Sequence, residues 1–287
     1  MPAISRKKSG VAPAADLAAA KRAFLERKDQ RVRRAFVRAP RDGLKQDIQL
    51  AEQLRRCSPD SPCRLAFCPS CVRGLQSVHS DAVLSCVNAI WPGPGALAEI
   101  PITKFLAAPF SDSHTVRIRQ LFSLDLVVTL EKMAHALRRL NSAVTFLGAH
   151  LRLDEDGHGK RESSWQITLH GVVVGATPAD VRRILEPICP SDILSSSNHP
   201  KVIKITGCSD MISGVKNCIK PHVRRHVVYL SQSGRRITRR HGLRRDELLE
   251  VTRLLRRCDL ENRYMLIGGR WFNFVTAPAD RYPFTDE

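Results

Sequence analysis

Apolar positions along the chain follow two periods that alternate. Leu126, Leu130, Met133, Leu137 and Leu140 recur every three or four residues with polar residues between them, which predicts a helix with one apolar face. Residues 98–108 before it and 142–154 after it read as strands; in the second, Leu147, Ala149, Leu151 and Leu153 occupy every other position. A turn-like Asp156-Gly157-His158-Gly159 separates that strand from an apolar, β-branched run over 165–175. Thr177-Pro178-Ala179-Asp180 then opens a helix, with proline at the first helical position and an acid in the first turn. Beyond a loop rich in Pro, Ser and Asn at 190–200, a strand is predicted over 202–207 and a helix over 209–220, stopped by Pro221.

This order of elements, with two adjacent central strands joined by a short turn, predicts an α+β fold. Its core would be an antiparallel, split βαβ-type sheet with helices on one face. Outside the core, 14–37 is strongly helix-forming, but Leu17, Phe24 and Val32 make too thin an apolar stripe among its lysines and arginines. A solvent-exposed basic helix is expected there. Trp91-Pro92-Gly93-Pro94-Gly95 marks a boundary, and a last helix over 244–257 precedes a strand over 263–274. The chain thus divides into a basic flexible or helical arm (1–50), a cysteine-rich region (51–95), the α+β domain (96–222) and a basic, helical C-terminal region (223–287).

Composition changes this picture chiefly through charge. The 287 residues are 43% apolar, enough for a buried core, but 46 Lys and Arg stand against 28 Asp and Glu, a net charge of +18. Residues 1–40 carry 11 basic and 3 acidic side chains, and 216–257 carry 13 and 3; the remainder is balanced at 22 of each. The partner is therefore expected to be a polyanion, with nucleic acid preferred. Aromatic residues, at 6%, are too few for a single-strand binder built on stacking. No apolar run is long enough to span a bilayer, so no membrane partner is expected, and the first residues lack a signal-peptide core. A cytoplasmic location and reduced thiols follow as expectations.

Four of the nine cysteines, Cys57, Cys63, Cys68 and Cys71, are spaced C-x5-C-x4-C-x2-C. The two thiolates of a C-x-x-C turn can share one zinc, and two more complete a closed tetrahedral site, so a compact structural Zn2+ knuckle is expected; the alternative is that some of these thiols are simply buried.

The segment Trp165-Gln166-Ile167-Thr168-Leu169-His170-Gly171 resembles the metal-binding strand of the HUH endonucleases, the rolling-circle plasmid replication proteins. In that family paired histidines hold a divalent cation that polarises the scissile phosphate, and a tyrosine on a later helix attacks it. The Arg-flanked cysteines and the inferred order of elements extend the resemblance over roughly two-thirds of the chain. This sequence departs from the pattern where the chemistry lies. Thr168 stands in place of the first histidine, and Asn217-Cys218-Ile219-Lys220-Pro221 keeps Lys220 but not the tyrosines. Tyr229 is left as the candidate nucleophile, and His150, Asp154 and His170 as candidate ligands for Mg2+ or Mn2+. The resemblance implies a DNA-binding initiator with lost or altered nicking. An active nickase and an RNA-binding or regulatory adaptor are the alternatives.

The cationic segments supply the nucleic-acid contacts in this reading. Arg224, Arg225, Arg235, Arg236, Arg239, Arg240, Arg244 and Arg245 follow one another with no acidic residue between positions 211 and 245, and Arg31, Arg33 and Arg34 lie in the N-terminal helix. Arginines so spaced can reach successive phosphates without reading sequence.

Overall fold

The computed structural model describes residues 14–38, 45–108 except Pro59 and Pro94, 115–140, 143–157, 163–189, 203–257 except Pro221 and Gly234, 263–268 and 272–274. Three helices come first: α1 (Ala14–Arg38), α2 (Lys45–Arg56) and α3 (Pro69–Ile90). A short turn of helix, α4 (Ala96–Glu99), leads to β1 (Ile102–Ala107) and β2 (Thr115–Arg117). Then follow α5 (Leu126–Leu137), β3 (Val144–Asp156), β4 (Ser164–Val174), α6 (Pro178–Leu185), β5 (Ile203–Gly207) and α7 (Met211–Cys218). The chain continues through β6 (Arg224–Leu230), β7 (Arg236–His241), α8 (Arg245–Arg256), β8 (Tyr264–Gly268) and β9 (Phe272–Phe274).

Local chemistry sets several of these ends. The Asp125 carboxylate accepts from the Val127 and Val128 amides at the start of α5, at 2.9 and 3.0 Å. Thr177 and Asp180 form a reciprocal capping box at α6, and Asp210 caps α7 through the Ser213 amide. Each satisfies amides that the first helical turn leaves without a partner.

The sheet runs β5-β1-β4-β3-β6-β7, with β2 also on β4, β8 on β3 and β9 on β8. Within it, β1-α5-β3 and β4-α6-β5 are interleaved, each pair of strands split by a strand of the other. Those four strands pair antiparallel. The sheet as a whole is mixed, because β6 joins the second half of β3 in parallel, Arg152 opposite Arg224 and Asp154 opposite His226. The first half of the same edge of β3 is taken by β8. A purely antiparallel sheet was the expectation; a 13-residue central strand is long enough to take two different neighbours along one edge.

Helices stand on both faces rather than one. β3 and β4 are buried along nearly their whole length, so both faces need apolar cover. Gly214 of α7 packs on Val172 from one side, while Trp165, pointing to the other, donates its indole N–H to Glu250 of α8 at 2.9 Å.

The structure also corrects the expected divisions. Residues 224–241 form a β-hairpin, not a helical arm: Val227, Val228 and Tyr229 face Arg239, Thr238 and Ile237 across the pair, and β-branched and aromatic residues favour that pleat. Position 223 is therefore no domain boundary, since β6, β7 and β8 complete the same sheet. Nor is α1 a free arm. Its Phe36 is buried, with its ring 5.1 Å from that of Phe67, and α1 packs on α2, α3 and α8. The expected helix over 244–257 and the strand around 264–268 are both present. No helix among the described residues is long and apolar enough to cross a membrane.

Candidate functional site

The end of α2 delivers Cys57, the following loop returns Cys63, and the start of α3 carries Cys68 and Cys71. The sulfurs of Cys57 and Cys68, Cys57 and Cys71, and Cys63 and Cys71 are each 3.6 Å apart. All four lie within 4.8 Å of one another. A tetrahedral zinc with Zn–S bonds of about 2.3 Å needs sulfur–sulfur edges of about 3.8 Å, so the set fits that ion. Arg64 takes a left-handed conformation (φ 54°) in the loop, and the Cys63 amide donates to the Cys57 sulfur at 3.4 Å. Hydrogen bonds from Cys63, Cys68 and Cys71 hold the Cys57 thiol far below its usual range and Cys63 correspondingly above it, a sharing of protons that a cation would replace. These four cysteines could bind a metal such as zinc. Among the described residues they are the only group of three or more ligand-type side chains so placed.

The second site is a pocket of about 510 Å³ on the face of the sheet that carries α7. Pairing of β3 with β4 sets His150 opposite Thr168 and Gly148 opposite His170, so both histidines project to this face, and their rings meet edge-on at 4.8 Å. His150 is buried and donates its Nε2–H to the Cys218 carbonyl at the end of α7, at 2.5 Å. Burial, then the neighbouring His170, Arg263 and Lys220, keep His150 neutral. Burial, followed by Lys220 and Arg152, lowers His170 to about 3.

Asp154 does not join them. It shares their face, but four residues along a strand is roughly 13 Å. Its carboxylate is held by Arg152 at 2.6 Å, and Arg152 also donates to Gln166 at 2.7 Å. The expected His150–Asp154–His170 cation site is therefore not assembled. Tyr229 is also elsewhere. It projects from the face of β6 opposite to His226, its ring lies against Gly157, and the Arg239 guanidinium sits 5.5 Å from its centroid. Lys220 does line the pocket, beside Asn217. Burial lowers its ammonium, opposed by Cys218 and assisted by Arg240.

Of the arginines of the basic segment, Arg224 and Arg240 line the pocket. Arg225 points to the other face, 3.3 Å from Glu155 and 3.7 Å from Glu247, and Arg244 lies 3.0 Å from Glu155; both are structural ion pairs rather than free contacts. Arg33 likewise turns inward, donating to the Leu54 and Cys57 carbonyls at 2.9 and 2.6 Å. Arg31, Arg34, Arg235, Arg239 and Arg245 are exposed, and the side chain of Arg236 lies outside the described residues.

Pocket residues that the sequence did not bring together come from distant segments: Lys28 of α1, Arg73 of α3, Arg152 of β3, Lys216 of α7, and His222 and His226 around β6. A buried Asp29 organises the rim. It accepts from Arg73 Nε and Nη2 at 2.7 and 2.6 Å and lies 3.2 Å from His222 Nε2, tying α1 to α3 and to the approach to β6. Only the period-2 run His222, Arg224, His226 was visible as a signal. Comparisons with protein-family models, with curated proteins and with solved structures gave no match.

Proposed function

We propose that this protein binds DNA through its phosphate backbone, on an architecture akin to that of rolling-circle initiators, with phosphate contact in place of cation-assisted nicking. The observation that carries the reading is the composition of the pocket. Seven cationic side chains (Lys28, Arg73, Arg152, Lys216, Lys220, Arg224 and Arg240) and four histidines line it, and among the described residues no carboxylate does. Such a concavity concentrates positive potential and attracts a polyanion. Arg240, exposed on the outermost strand of the hairpin and opposite His226, carries the pocket's positive charge out to the surface.

The loss of nicking rests on three features. His150 is engaged by a carbonyl, Asp154 by Arg152, and Tyr229 faces away from both histidines. The cysteine cluster, in this reading, holds one structural Zn2+ that fixes α2 to α3, and the partner is nucleic acid rather than a membrane surface. The test is fluorescence anisotropy with matched single-stranded and duplex oligonucleotides in EDTA. The expected result is binding without divalent cation that weakens steeply between low and moderate salt, and no covalent adduct after Mn2+ is added. Salt-independent affinity would overturn it. An adduct lost in Tyr229→Phe would restore the nickase, and preferential competition by RNA of the same length would move the reading to RNA.

A further inference from the structure

The charge in the pocket exceeds what one backbone phosphodiester can balance. Arg73 is matched by Asp29 and Arg152 by Asp154. Lys28, Lys216, Lys220, Arg224 and Arg240 make no ion pair among the described residues. They work against one another: burial and then Arg240 lower Arg224, while burial followed by Arg224 and Arg73 lowers Lys28. Arg152 Nε is a further donor without a partner, and His222 Nδ1 is also buried without one; both residues line the pocket. The His222 ring is only 7% exposed, so bulk water does not serve it. A buried donor left unbonded costs about 1–3 kcal/mol, which favours an acceptor-rich ligand.

We infer that the pocket takes a phosphate monoester, either the phosphorylated end of a nucleic-acid strand or a free nucleotide, held by Arg152, Lys220, Arg224 and Arg240. A diester presents one negative charge and two unesterified oxygens. A monoester carries about 1.5 to 2 negative charges at pH 7 and three strong acceptor oxygens, which suits forked guanidinium donors. The volume of about 510 Å³ is in the range of small-ligand sites, roughly 300–1,000 Å³, and so has room for a sugar and base behind the phosphate. The strand-end form of this inference rests on the DNA-binding reading; the nucleotide form does not.

The experiment compares one 20-residue thymidine oligonucleotide carrying a 5′-phosphate, a 3′-phosphate or only hydroxyl ends, by anisotropy in EDTA, and adds thymidine monophosphate and inorganic phosphate in a thermal-shift assay. The expected result is at least fivefold tighter binding of one phosphorylated strand than of the hydroxyl-ended strand. That preference should vanish in Arg224→Gln and in Arg240→Gln, the latter at an exposed position on β7. Equal affinity for all three strands, with no melting shift from either small phosphate, overturns the inference while leaving DNA binding intact. No binding of any strand together with a clear shift from thymidine monophosphate supports the pocket as a nucleotide site and defeats the DNA reading instead.

Discussion

Gly148 sits where β3 passes beneath the end of α7, and replacing it with alanine tests that packing directly. An added Cβ would lie 2.2 Å from the Cys218 carbonyl oxygen and 3.2 Å from His150 Nε2. Carbon–oxygen contacts are comfortable from roughly 3.3 Å, so the carbonyl would have to retreat by about 1 Å. The obstacle is backbone, held by the cap of α7, and cannot rotate aside as a side chain would. Retreat breaks the His150–Cys218 hydrogen bond and strands a buried imidazole N–H, at about 1–3 kcal/mol. Overpacking adds roughly 1–3 kcal/mol. Gly148→Ala should therefore destabilise the protein by about 3 kcal/mol or more, read as a lower urea midpoint and a melting temperature lower by roughly 5–10 °C. Gly242→Ala is the control, since a Cβ there meets nothing within 4 Å. A Gly148→Ala protein as stable as Gly242→Ala would refute the placement of α7 over His150.

Stability should also depend on pH. Burial lowers His79 to about 4 and His170 to about 3, below the ordinary 6.5. The unfolded chain binds protons first, so this stability is complete above about pH 6.5 and is lost as pH falls toward the folded values. Each of the two loses about 2 kcal/mol between pH 7 and 5, and a urea midpoint constant over that range would contradict the burial. Asp29→Ala removes the acceptor of Arg73 and His222; with Arg73 30% exposed, a loss of about 2–3 kcal/mol in chemical denaturation is expected. Cys57→Ser should lose its metal: mass spectrometry of the native protein is expected to show one zinc per chain, and the variant none, with a lower melting temperature.

The core was legible where periodicity is local. The stripe Leu126, Leu130, Met133 and Leu137 became α5, the capping box at Thr177 became the start of α6, and the alternation through Leu153 became β3. In α3, the buried Val72, Leu75, Val83 and Val87 also carry a helical period, but they directly follow the cysteines, and the metal-ligand spacing drew the reading away from them. The hairpin was obscured by charge. Its alternation sets Arg224 and His226 on one face and Arg225, Val227 and Tyr229 on the other, a strand pattern in which arginine serves both faces. The pocket itself could not be read, because it joins residues of α1, α3, β3, α7 and β6 that only the parallel pairing of β3 with β6 and the Asp29–Arg73 contact bring together. Sharing a strand face also proved weaker than sharing a site: Asp154 alternates correctly with His150 yet ends on Arg152.

The DNA-binding proposal places the grip on the phosphate chain in the pocket rather than on Arg31 and Arg34, the exposed arginines of α1. The most direct test is the salt dependence of single-stranded DNA affinity for the native protein, for Arg224→Gln with Arg240→Gln, and for Arg31→Gln with Arg34→Gln. Each lost phosphate contact reduces the slope of log affinity against log salt by about 0.7. A slope shallower by about 0.7 is expected for the pocket pair if its two arginines hold one phosphate, or about 1.4 if they hold two, with little change for the helix pair. The reverse order, or an unchanged slope in the pocket pair, would contradict it.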